Sequence, residues 1–176
     1  MYNPKIFFIS IFFLCVALLA YGLYLEHFQG LEACPLCIFQ RISYILIALI
    51  TFTAFIHNPR DLPLVIYKSL TIIVALSGAL IAGRQVWLQH LPPELVPECG
   101  PGLGYMLNVF PLSDAIKMVL AGSGECAEVK WRFITLSIAE WSLIMFVGIS
   151  IVTLLSLYIN RKKNFYTNFR ASYQIQ

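Results

Sequence analysis

The sequence is short of charge. Lysine, arginine, aspartate and glutamate together make up 12% of its 176 residues, about half of the roughly 25% usual for a soluble globular domain. So few charges cannot clothe a water-exposed surface, which excludes a soluble fold. Nucleic-acid binding is excluded on other grounds. The net charge is only +3, and the basic residues form no patch interleaved with aromatics; they sit at the ends of apolar stretches, where membrane topology places them. No internal repeat is present. A second Cys-x-x-Cys is missing too, which deprives a zinc site of its usual ligand spacing.

Apolar runs are abundant. A transmembrane helix needs roughly 20 apolar residues to cross about 30 Å of hydrocarbon. Residues 6–25, 38–56, 64–83 and 141–159 all qualify. The first and last of these carry no charge. The second carries only Arg41 near its start, and the third only Lys68, one turn in, so both are expected to snorkel to the interface. The first run exceeds the roughly 7–15 residue core of a signal peptide, and Ala17, Ala20 and Gly22 make no convincing cleavage site, so it reads as a retained anchor.

The flanks orient the bundle. Lys5, Arg60, Lys68, Arg161, Lys162, Lys163 and Arg170 fall on one side, with Asp61 as that side's single acid. Glu26, Glu32, Glu94, Glu98, Asp114, Glu125, Glu128 and Glu140 collect on the other. The positive-inside rule puts both termini and the short loop 57–63 in the cytoplasm, and the acidic loops outside. Trp87, Trp131 and Trp141 lie near the outer interface, as an aromatic belt does. The fold expected is an all-α membrane protein, one four-transmembrane-helix domain spanning 1–176. Its outer loops cover about 26–37 and 87–140, and its tail 160–176 is polar, aromatic and expected to be disordered. The second outer loop is rich in proline and glycine, and long ordered loops of this kind usually have a function. Within it residues 111–120 read as a short amphipathic helix. Ser113 is its N-cap, and Ile116, Val119 and Leu120 share one face, which suits it to lying on the membrane or packing in the loop.

There are five cysteines. Cys34 and Cys37 form a Cys-Pro-Leu-Cys motif at the outer start of the second run; Cys99 and Cys126 lie in the long outer loop; Cys15 is in mid-membrane. Four of them thus sit in the oxidising compartment and divide into two pairs. At i and i+3 on a helix start, Cα atoms lie roughly 5 Å apart, within disulfide range. The helix N-terminus carries partial positive charge and stabilises a thiolate there. Such a pair can cycle between dithiol and disulfide, while the alternatives are an inert disulfide or half of a metal site. For Cys99 and Cys126 the competing reading is a structural staple closing the loop. Against it stands the setting Glu98-Cys99-Gly100-Pro101-Gly102, loose enough to present a labile disulfide to another protein.

At 100° per residue, Cys34, Cys37 and Arg41 fall within an arc of about 60° on one helix face. A guanidinium one turn below a thiol pair stabilises a thiolate or donates to a carbonyl-bearing ligand; its bland alternative is a lipid-phosphate anchor. Cys15 reads as a small apolar filler. His27 and His57 read as interfacial residues without assigned chemistry, and nothing in the spacing of Gln40 marks it as a pocket contact.

These residues together resemble the DsbB family of bacterial inner-membrane disulfide bond formation proteins. The segment Cys34-Pro35-Leu36-Cys37-Ile38-Phe39-Gln40-Arg41 is similar to that family's quinone-proximal motif. Gly124-Glu125-Cys126-Ala127-Glu128-Val129-Lys130-Trp131 resembles the stretch around the last loop cysteine. Gly83-Arg84-Gln85-Val86-Trp87-Leu88-Gln89-His90 resembles the outer end of its third helix, and the likeness spans about residues 5–160. The resemblance implies a protein thiol:quinone oxidoreductase, multi-pass in the inner membrane. A DsbA-like periplasmic thioredoxin-fold oxidase would be its partner, with membrane lipid around it and no nucleic acid. It implies Cys99–Cys126 and Cys34–Cys37 disulfides, with Cys99 joined to the partner and Cys126 exchanging with the inner pair. It also implies a bound ubiquinone or menaquinone, with Arg41 holding a quinone carbonyl and His90 as a second pocket candidate; no metal is expected. A vitamin K epoxide reductase-like enzyme uses the same parts, but there the Cys-x-x-Cys follows the loop cysteines. Here it precedes them. A membrane scaffold with structural disulfides is the non-enzymatic alternative, and its disulfides would not reduce on meeting a thiol partner. An outward electron conduit would need a cysteine pair reachable from the cytoplasm, which Cys15 alone cannot supply.

Overall fold

The computed structural model describes residues 4–30, 33–96, 111, 117, 122, 124–129 and 131–173. Four long helices dominate: α1 (Pro4–Gln29), α2 (Pro35–His57), α3 (Asp61–Gln89) and, after the short α4 (Gly124–Ala127), α5 (Ile138–Tyr173). Each of the long helices contains a stretch long and apolar enough to cross a membrane. A 3₁₀ turn follows α3 at Pro93–Leu95, and a hairpin of β1 (Arg132–Phe133) and β2 (Leu136–Ser137) precedes α5.

The long helices pack in sequence, α1 on α2, α2 on α3 and α3 on α5. Their outward faces are apolar: Phe13, Leu49, Ile73, Leu80 and Leu155 are all exposed. In water that would be ruinous, whereas in lipid it is the required surface, because each helix satisfies its own backbone hydrogen bonds. The core is a narrow seam of Ile11, Cys15, Tyr44, Ile47, Ala48, Ala75, Ala82, Phe146 and Ile149. Cys15 sits there fully buried, as a filler should. Small residues on α3 let α5 approach closely: a Cβ added at Gly78 would come within 2.6 Å of the Phe146 ring, and packing of this kind replaces the hydrophobic effect between helices in lipid. Phe146 in turn stacks on Tyr44 at 4.2 Å between centroids, and the Tyr44 hydroxyl lies 3.3 Å from Ser142 Oγ. Helices α2, α3 and α5 are thereby locked around one point, close below the cysteine end of the bundle.

Several boundaries differ from expectation. Helix α1 runs on to Gln29, where Gly30 in the left-handed region (φ 64°) follows it, and α3 runs through Gly83 to Gln89, both past the apolar runs. The turn between α2 and α3 is tight. Asn58 caps α2 in the left-handed region (φ 47°, ψ 55°), a conformation asparagine tolerates better than most residues. Lys68 does not snorkel. It is fully buried, its Nζ donating to Ser156 Oγ at 2.5 Å and lying 5.2 Å from the centre of the Phe7 ring. Helix α3 starts at Asp61 rather than at residue 64, so Lys68 stands two turns inside, about 10 Å along the axis, and turns inward to a hydroxyl on α5.

The tail expected to be disordered instead continues α5 to Tyr173. No proline or glycine follows Gly148, so the ladder meets no breaker. The hairpin was not legible in the sequence: Arg132 pairs with Ser137 and Phe133 with Leu136, around Ile134 and Thr135 at φ 51° and 69°. These are the conformations of a two-residue hairpin turn, here taken up by β-branched residues instead of the usual asparagine or glycine. The hairpin places Trp131 on Phe133 (5.9 Å, interplanar 8°) and lets Trp141 Nε1 donate to the Phe133 carbonyl at 3.1 Å. The expected amphipathic helix at 111–120 lies outside the described residues, apart from Pro111 and Lys117, both exposed.

Candidate functional site

Cys34 is the N-cap of α2. Its backbone is extended (φ −66°, ψ 159°), and Pro35 follows in the first helical turn, where a missing N–H costs nothing and a fixed φ favours helix initiation. The Cys34 sulfur does the work of a capping oxygen, accepting from the Cys37 N–H at 3.3 Å. The two sulfurs are 2.8 Å apart, with Cys34 as donor; a disulfide bond is about 2.05 Å, so both are thiols here. Cys37 therefore sits one turn into α2 with its sulfur at the positive end of the helix dipole.

A third cysteine joins them. Cys126, on α4, is fully buried in a cluster with Cys34, Leu36 and Leu88. The Cys34 thiol is pushed above its ordinary range, first by its hydrogen bond with Cys126, then by that with Cys37, with burial adding. Cys34 is thus the member of the inner pair that faces the loop cysteine. Cys99 lies outside the described residues, so its expected pairing with Cys126 has no geometry here.

Polar side chains complete the setting. Gln85 of α3 points its carboxamide at the inner pair: Nε2 lies 3.2 Å from Cys37 Sγ and 3.4 Å from Cys34 Sγ. Gln40 of α2 donates through Nε2 to Gln85 Oε1 at 2.7 Å. Arg41 is ion-paired with Glu26 of α1 and reaches the Gly22 carbonyl at 3.4 Å. A cavity of about 200 Å³ is lined by Cys34, Cys37, Gln40, Arg41, Tyr44 and Gln85, among others. An apolar cavity of about 370 Å³ shares Leu18, Gly22, Leu25, Tyr44, Trp131 and Ser142 with it and extends to Phe133 and Trp141.

Of the residues picked out by sequence, Cys34, Cys37, Cys126 and Arg41 therefore converge. His90 does not. It follows the end of α3, is largely exposed, donates from Nδ1 to the Val86 carbonyl at 2.9 Å, and stands 3.9 Å from Glu140. It is not among the residues lining the cavity. Gln85, Glu26 and Tyr44 were not picked out as site residues. Gln85 follows Arg84 just past the apolar run of α3, so no local signal flags it; its burial shows only in the fold, where an amide needs partners.

Fold and site together define a multi-pass helical membrane protein that gathers thiols at one end of its bundle. Residues 4–156 match the family described as "Disulfide bond formation protein DsbB". Relatives of the same name cover nearly the whole chain. "Disulfide bond formation protein B" of Methylococcus capsulatus is 53% identical over 144 residues, covering 82% of this chain and 88% of its own. That of Azoarcus sp. is 45% identical over 159 residues, 90% and 95%. "Disulfide bond formation protein B 1" of Pseudomonas aeruginosa is 46% identical over 156 residues, 87% and 96%. The chain belongs to the DsbB family of membrane disulfide bond formation proteins.

Proposed function

We propose that this protein reoxidises a periplasmic DsbA-like thiol oxidase, passing electrons through Cys99–Cys126 and Cys34–Cys37 to a bound quinone. The observation that carries the reading is the burial of Cys126 against Cys34, which itself lines a cavity together with Cys37 and Arg41. The chemistry follows from the sulfurs. A thiolate of the reduced partner attacks Cys99, the Cys99–Cys126 bond breaks, and Cys126 leaves as a thiolate. The partner's second thiol then releases Cys99 and closes the partner's disulfide. Cys126 attacks its neighbour Cys34, whose bond to Cys37 breaks. Cys37 is left as a thiolate facing the cavity, where the helix dipole and the Gln85 amide stabilise it. Cys99 then attacks Cys126 in the Cys126–Cys34 mixed disulfide, which restores the outer disulfide and releases Cys34; re-forming the Cys34–Cys37 bond sends two electrons and two protons onward.

The residues present fit a quinone. The polar cavity matches a dioxygenated ring, and the adjoining apolar one, walled by Leu18, Leu25 and Trp141, matches an isoprenoid chain. When bound, quinone supplies the two-electron acceptor. Arg41 would hold an oxygen of the ring and stabilise the negative charge that develops there, which a fixed cation does far better in a dry site than in water. The absorption spectrum of quinone extracted from the purified protein decides between ubiquinone and menaquinone. The test of the relay is Cys126→Ala. With the resolving thiol gone, a mixed disulfide between Cys99 and a DsbA-like protein should accumulate on non-reducing gels. Trapping of the partner through Cys34 instead would overturn the order of transfer.

The resemblance implies the inner bacterial membrane, and the lysines and arginines orient the chain in it: both termini cytoplasmic, cysteine end periplasmic. Reporter fusions after Asp61 and Lys163 should report cytoplasm, and one near Gly102 periplasm. A periplasmic signal from the C-terminal fusion would refute this orientation.

A further inference from the structure

The relay uses Gln85 only to steady the Cys37 thiolate, and the placement of its carboxamide has a further consequence. Gln85 sits on α3, fully inside the bundle at 4% exposure, yet its carboxamide spends itself on two sulfurs and one other amide. Nε2 has two hydrogens, and its two near partners are Cys37 Sγ at 3.2 Å and Cys34 Sγ at 3.4 Å. Oε1 accepts from Gln40 Nε2 at 2.7 Å and is 3.6 Å from Cys37 Sγ. Gln40 is itself buried, at 4% exposure, so the two amides brace one another between α2 and α3.

The chemistry of that arrangement is one-sided. A disulfide sulfur is a poor hydrogen-bond acceptor, whereas a thiolate is a strong one, because bonds to charged groups are roughly twice as strong as neutral ones. An amide N–H aimed at the pair therefore stabilises its reduced form more than its oxidised form. It does so without adding a charge, which in a buried place would be costly in the oxidised state. The geometry points to Gln85 as a positioning residue that sets the redox potential of the Cys34–Cys37 pair by donating to the Cys37 thiolate, with Gln40 holding its carboxamide in place. This deepens the relay proposed above and rests on that reading for its biological use, but the chemistry can be measured without it.

The measurement isolates the inner pair in the full-length chain carrying Cys99→Ala and Cys126→Ala. The purified protein is equilibrated with glutathione buffers at fixed pH and quenched by alkylation, and reduced and oxidised forms are counted by mass. The reaction is Cys34–S–S–Cys37 plus two glutathione thiols, giving one protein thiol, one thiolate, a released proton and glutathione disulfide. Gln85→Leu should shift this equilibrium toward the disulfide about tenfold, which is about 30 mV more negative. Gln85→Glu keeps the shape, loses the donors and brings an acceptor, so its shift should have the same sign and be at least as large; it carries the test if Gln85→Leu does not fold. Gln40→Leu should give a smaller shift of the same sign. A wild-type potential in a folded Gln85→Leu or Gln85→Glu protein would overturn the assignment. The relay fails separately. If wild-type protein does not reduce quinone with partner electrons while the Gln85 shift is present, the relay is wrong and Gln85 stands. If turnover is normal and the potential does not move, Gln85 alone is wrong.

Discussion

Replacing Cys37 by Ala should lower steady-state, quinone-dependent oxidation of a reduced thioredoxin-fold partner by about a thousandfold or more, since a covalent relay that loses one of its sulfurs has no substitute for it. Cys34 is buried against Cys126, whereas Cys37 is the half-buried member of the pair, and it lines the cavity beside Arg41. Without Cys37 there is no inner disulfide for Cys126 to attack. The first step should survive: one equivalent of partner per protein is still oxidised by Cys99–Cys126 in a single turnover, read by stopped flow and by alkylation of the products. After that burst the protein should stall. Retention of more than about a tenth of wild-type turnover would mean that electrons leave by a route that bypasses α2, and the relay would need another outlet.

Arg41→Ala should raise the quinone concentration needed for half-maximal turnover by about ten- to a hundredfold, the range expected for losing a hydrogen bond to a charged group. The ion pair with Glu26 sharpens this expectation. Removing the guanidinium leaves the Glu26 carboxylate lining the cavity without its cation, facing the same space as the Cys37 thiolate, so repulsion adds to the lost attraction. Arg41→Lys should fall between wild type and Ala, because lysine keeps the charge but lacks the planar fork that can serve Glu26 and a second oxygen at once. Single-turnover oxidation of the partner without added quinone should stay near normal in both variants. An unchanged quinone dependence in Arg41→Ala would reduce Arg41 to a lipid-phosphate anchor, and the quinone would have to bind elsewhere.

Much of the site was legible in the linear chain because its logic is local. The motif from Cys34 to Arg41 spans little more than two turns of one helix, so spacing alone puts the sulfurs within reach of each other and the guanidinium on their face. What joins from elsewhere had no such signal. Cys126 reaches Cys34 across the long loop, Gln85 reaches the sulfurs from another helix, and Glu26 meets Arg41 from a third. His90 lies in a segment that resembles the family's, and its ring contacts the Val86 carbonyl of its own helix and stands near Glu140, apart from the cysteines.

The sequence by itself determined the number of spanning helices, the end at which the cysteines gather and the motif that caps α2. Each follows from sums over neighbouring residues: hydropathy over about 20 positions, charge over the flanks, sulfur spacing within a turn. Only the tertiary structure decided which polar side chains turn inward. Lys68 lies inside the apolar run of α3 and Gln85 just past its end, and hydropathy does not say which way either side chain turns. One finds Ser156 and the Phe7 ring, the other two sulfurs and Gln40. A polar group in lipid must find its partner inside the protein, and which partner that is depends on helix rotation and close approach. Small residues such as Gly78 and Ala82 permit that approach between α3 and α5, and no local pattern in the chain specifies it.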